Sequence, residues 1–147
     1  MKNPRRYRSA IATGLSILVG AAAIAPIAWA HQVVVAGQVG GTLHIEPNDV
    51  PRAGRDVTAW FALARRGGQT IPLSECHCAL SLYQPYSDEA MANPALVPIT
   101  AEGYQGIPSA ALTFPHPGQY ELLLTGYPTE GGAFEPFVLR FDVLVAR

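Results

Sequence analysis

The chain has 147 residues, a formal charge of −1 at neutral pH, 49% apolar side chains and only 14% charged ones. Its basic residues are unevenly spread: Lys2, Arg5, Arg6 and Arg8 open the sequence, whereas the part after residue 30 has six Arg, no Lys and all eleven Asp and Glu. That acidic remainder has no basic stripe, which excludes nucleic acid as a partner class.

The first thirty residues have the parts of a secretory signal peptide. Four basic residues precede a largely apolar run from Ile11 to Ile27, which closes on Ala28-Trp29-Ala30 with Pro26 just upstream. Cleavage after Ala30 makes His31 the new amino terminus, where one residue offers both an amine and an imidazole to a metal ion. The same run is long enough to stay in a bilayer as an uncleaved anchor, and residues 11–30 would then be the chain's only contact with the membrane. Either way the globular part is extracytoplasmic, in a periplasm or equivalent lumen. It is soluble after cleavage or anchored at its N-terminus, and its thiols tend to oxidise. Removing residues 1–30 leaves residues 31–147, enough for a single domain with one core.

Period-two alternation dominates residues 31–147. Val39, Leu43 and Ile45 alternate with Gln38, Thr42, His44 and Glu46 in a first strand that ends on the turn formers Pro47-Asn48-Asp49. A second strand runs from about Asp56 to Ala64, with Val57, Phe61 and Leu63 on one face and Thr58 and Trp60 on the other. A third covers His77 to Tyr83. The proline-rich stretch from Gln84 to Pro108 reads mostly as loop, with one helical turn at Ser87 to Ala92 and an edge strand at Ala95 to Ile99. Ala110–Phe114 and Gln119–Thr125 form a hairpin across Pro115-His116-Pro117-Gly118, and Phe137 to Val145 alternates cleanly as the last strand. Together these predict an all-β protein: an immunoglobulin-like antiparallel β-sandwich of about seven strands behind the signal or anchor segment.

The densest chemical signal is Cys76-His77-Cys78, the chain's only two cysteines with a histidine between them. Three readings stay open. The residues suit copper(I) or zinc by ligand softness. The cysteines can instead form a disulfide, for which an extended strand sits near the upper limit of bridging distance, or they can pack as buried thiols. If strands alternate in direction, the start of the first strand, the start of the third and the loop before the last share one pole. That pole would hold His31, Cys76, His77, Cys78, Glu130 and Glu135, with His44 and His116 at the other. No nucleophile elbow surrounds any serine and no acid–base carboxylate pair stands out, so no enzymatic activity is expected. The glycines of 37–41 precede a strand and not a helix, so they make no phosphate cradle.

With its size, its sandwich pattern from Gln38 to Val145 and a mature N-terminal His31, the chain resembles the copper-handling periplasmic modules of the CopC and YtkA type. The resemblance implies copper binding and delivery without catalysis. An Asp-x-His pair near the C-terminal strands is missing here, and Met91 is the only methionine after residue 30, so a methionine-rich site is excluded; Cys76 or Cys78 would replace the second imidazole. The expected function is a copper carrier or assembly factor for a membrane-associated complex or metalloprotein, with His31, Cys76, His77 and Cys78 as ligands. The competing expectation is a protein-interaction or accessory module without metal, docking through the Gln84 to Pro108 segment and a face bearing Trp60 and Tyr83.

Overall fold

The computed structural model describes residues 32–147. The signal or anchor segment and His31 lie outside the described residues.

Eight strands follow in order: β1 (Val33–Ala36), β2 (Val39–Ile45), β3 (Asp56–Arg65), β4 (Cys76–Tyr83), β5 (Val97–Ala101), β6 (Tyr104–Thr113), β7 (Gly118–Pro128) and β8 (Phe137–Val145). They make a five-stranded sheet of order β1-β2-β3-β6-β5 and a three-stranded sheet of order β4-β7-β8. Every strand pair within the two sheets is antiparallel. The fold is the expected all-β sandwich.

The alternation that defines the strands also builds the core. Along β8 every second residue from Phe137 to Val145 is buried and each one between is exposed, as a half-buried strand requires. Opposite it stand Leu43 and Ile45 of β2 and Val57, Phe61 and Leu63 of β3, all buried in the same cluster. Phe61 and Phe141 meet across the two sheets with ring centroids 5.5 Å apart. Each such side chain contributes roughly 1.5–3 kcal/mol through burial.

The β6–β7 connection is tied by one side chain. The Tyr120 hydroxyl donates to the His116 carbonyl oxygen at 2.9 Å and accepts from the His116 N–H at 3.2 Å. This is the tyrosine corner of immunoglobulin-like sandwiches, and it assigns His116 to a structural turn.

Three local expectations are corrected. First, a strand precedes the expected first one: Gly37, at φ 59°, lets a two-residue turn reverse the chain between Ala36 and Val39. Second, Ser87 to Ala92 is not helical; Ala92 instead bridges Leu82 at the edge of β4. Third, the proline-rich stretch is less of a loop than expected: its edge strand is present as β5, shifted to Val97–Ala101, and it also holds half of β6. Its prolines are tolerated because Pro98 lies on the edge strand and Pro108 precedes the first β6 residue paired with β3, Ser109. Glu102 and Gly103, both at positive φ, close that hairpin.

The β5–β6 hairpin also corrects the proposed docking face. Trp60, on the outer face of β3, is 1% exposed and packs with Ala62, Ile107, Ile99 and Ala101 in a second, smaller cluster. A buried indole cannot anchor a partner.

Candidate functional site

The two ends of the sandwich carry different chemistry. At one end, β2 brings His44 beside Trp60, its partner on β3. The rings stack with centroids 3.9 Å apart and planes 6° from parallel, so the imidazole is held flat and 8% exposed. The Trp60 indole N–H donates to Glu46 Oε1 at 3.2 Å. Asp49, at φ 57°, folds back on the end of β2: its N–H donates to the Ile45 carbonyl at 2.7 Å and its Oδ1 accepts the Ile45 N–H at 2.6 Å. That turn leaves Asp49 Oδ2 4.0 Å from His44 Nδ1. His44, Glu46, Asp49 and Glu102 line one small cleft whose walls, among the described residues, include no Arg or Lys. One imidazole among three carboxylates makes this cleft cation-attracting.

At the other end, Cys76 and Cys78 form a disulfide with Cα atoms 5.2 Å apart. Two residues of a regular strand span roughly 6.6 Å, so β4 is pinched at its first residues. Gly126, across from Cys78 on β7, makes room for it: a Cβ there would lie 2.7 Å from Cys76 Sγ and 2.5 Å from the Phe137 ring. His77 points to the opposite face, exposed, its ring 4.8 Å from that of Tyr127. The 129–132 turn closes over this end. Thr129 donates its N–H to the Glu75 carbonyl at 3.0 Å and its hydroxyl to the Ser74 carbonyl at 3.3 Å. Beside them, Glu75 Oε2 is buried and has no hydrogen-bond partner among the described residues.

No protein-family model matches the chain, and no curated relative matches it by sequence. Two solved structures share its fold. FetP of uropathogenic E. coli strain F11 is 14% identical at a TM-score of 0.56, over 80% of this chain and 94% of that one. A DUF4426 family protein of Pseudomonas aeruginosa PAO1 is 11% identical at 0.53, over 80% and 97%. At such identities the likeness is one of architecture.

The expected ligands therefore separate. Cys76 and Cys78 are joined to each other, and their sulfurs become ligands only after reduction. His77 projects from the other side of β4, as strand geometry dictates. Among the described residues, no three of His, Cys, Asp and Glu converge on a point. The pole assigned to the start of the chain also changes, because β1 adds a reversal. Its Ala36 end, next to the Gly37 turn, lies toward Glu135 at the disulfide end: a Cβ on Gly37 would sit 3.7 Å from Glu135 Oε2. Its Val33 end lies beside Thr42, on the side of His44.

Sequence reasoning set His44 and Asp49 aside. The available signal was His44 and Glu46 alternating on the polar face of a strand that runs straight into Pro47-Asn48-Asp49. The partner that orients His44 is Trp60, 16 positions away, and only strand pairing brings the two together.

Proposed function

We propose that this protein is an exported β-sandwich module that binds copper(II) at the His44 end and carries it to a membrane-associated complex or metalloprotein, without catalysis. The observation that carries the reading is the register of the first hairpin. Val33 is opposite Thr42, Val34 opposite Gly41 and Val35 opposite Gly40. With Val33 opposite Thr42, the chain enters the sandwich at the end of β2 that carries His44. Signal cleavage after Ala30 would then bring the amine and imidazole of His31 to an imidazole that Trp60 holds flat, beside the Asp49 carboxylate.

The donor set fits the metal. Nitrogen and oxygen ligands suit copper(II) in tetragonal geometry, whereas thiolates suit copper(I). Cys76 and Cys78 would contribute a second, copper(I) site only in the reduced protein, with His77 turned away from it. Binding releases protons from the amine and the imidazoles, so affinity falls in acid. The alternative of a metal-free accessory module loses the Trp60 face on which it partly rested.

The experiment uses the exported, processed protein. Intact mass should place the N-terminus at His31, and copper(II) should be held at least about tenfold more tightly than by the same protein with its terminal amine acetylated, a modification that the absence of Lys after residue 30 confines to the terminus. A different natural N-terminus, or equal affinities, would refute the proposal.

A further inference from the structure

We infer that the Cys76–Cys78 disulfide is a thiol–disulfide exchange site for a protein dithiol, and that Cys78 is the sulfur attacked. The inference is independent of the copper site, which lies at the other end of the sandwich.

A structural role for this bridge is weak on physical grounds. The chain-entropy gain from a disulfide grows with the loop it closes, and this one closes over the single residue His77. It links no two elements of the fold. What it does instead is hold two electrons' worth of oxidation on β4, which is an edge strand of its sheet.

The two sulfurs are not equivalent. Cys76 is 5% exposed, its Sγ lodged against Gly126, whose missing side chain also admits the Phe137 ring. Cys78 is half-buried, packed against the margin of the core on the same face of β4. Exchange needs a thiolate to reach a sulfur from outside. Of the two residues, Cys78 is the less buried and so the one that a partner can approach. Across β4 from the two sulfurs, the tilted His77–Tyr127 pair, with Tyr127 56% exposed, offers an aromatic contact to a partner that reaches over the edge of the strand.

The step balances without a further reagent. A thiolate of the partner dithiol attacks Cys78 Sγ, the Cys76–Cys78 bond breaks, and Cys76 departs as a thiolate that takes up a proton. The partner's second thiolate then attacks the partner's own sulfur in the mixed disulfide and releases Cys78, which is protonated in turn. Two electrons and two protons have moved from the partner to the cysteine pair, and the partner is left as a disulfide. The reverse sequence oxidises a partner.

The test uses the exported full domain in two forms. Oxidised wild-type protein is treated with glutathione, quenched in acid and mapped by fragmentation; the mixed disulfide should sit on Cys78. Separately, Cys76→Ser, which leaves Cys78, should react with an aryl disulfide at least about tenfold faster than Cys78→Ser, which leaves Cys76, because reactivity follows thiolate exposure. If both variants fail to fold, the wild-type mapping decides. Glutathione predominantly on Cys76, equal rates for the two variants, or a wild-type disulfide that dithiothreitol reduces only once the fold has melted would each overturn the inference.

Discussion

Replacing Phe141 by alanine should lower the stability of the domain by about 3–5 kcal/mol, the range for deleting a buried phenylalanine ring. Phe141 is fully buried on β8 and meets Phe61 of β3 with ring centroids 5.5 Å apart, so it joins the three-stranded sheet to the five-stranded one. Its atoms also fill the space left by Gly41, where a Cβ would come 3.2 Å from the Phe141 ring and 2.6 Å from Leu139. The cavity therefore opens at the centre of the sandwich, where three strands meet and none can collapse without losing its register. Domains of this size have roughly 5–15 kcal/mol in total, so the variant should melt roughly ten degrees or more below the wild type. Urea unfolding followed by far-ultraviolet circular dichroism measures it. A loss below about 1 kcal/mol would mean that the two sheets are not packed through this pair.

The second large effect concerns His44. Its substitution by phenylalanine keeps a flat ring against Trp60 and removes both nitrogens, so the fold should persist while copper(II) affinity falls by about a hundredfold, equivalent to ~2.7 kcal/mol. Alanine at the same position should lose the affinity and also unsettle Trp60, whose indole N–H bond to Glu46 is made beside that stack. The comparison separates a ligand from a packing residue. Isothermal titration of the exported protein reads it, with circular dichroism as the check on folding. A phenylalanine variant that binds copper as the wild type does would remove His44 from the site.

Much of the fold was legible in the sequence because burial on one face of a strand imposes alternation, and alternation survives without any knowledge of partners. Phe137 to Val145 and Tyr120 to Leu124 could be assigned to strand and face in this way. The strands that escaped notice were those whose pattern is broken locally. Val33–Ala36 is an unbroken apolar run close behind the apolar residues 11–27, with its two outward valines 65% and 69% exposed, so no alternation marks it. Tyr104–Ile107 sits among glycine and prolines that usually signal loop, and only the edge position of β5 makes them compatible with pairing.

The site was less legible than the fold, for a reason that lies in the chain's connections. Cys76-His77-Cys78 stood out because its residues are adjacent, yet adjacency on a strand divides side chains between two faces, and the bridge between the cysteines then leaves His77 alone with Tyr127. His44 stood out less because its neighbours Trp60, Asp49 and Glu102 come from three separate segments. One missed hairpin was enough to reverse the end of the molecule toward which the start of the domain points. A strand-by-strand reading of poles cannot survive such an omission, since a missed strand inverts the assignment of whatever lies beyond it, here the start of the domain.

The most direct measurement is the electron paramagnetic resonance spectrum of the exported protein loaded with one equivalent of copper(II). Nitrogen couplings are expected from the terminal amine and from both imidazoles, in a spectrum that loses one nitrogen in His44→Phe and is unchanged when Cys76 and Cys78 are both replaced by serine. A spectrum indifferent to His44, or one altered by loss of the cysteines, would contradict copper binding at the His44 end.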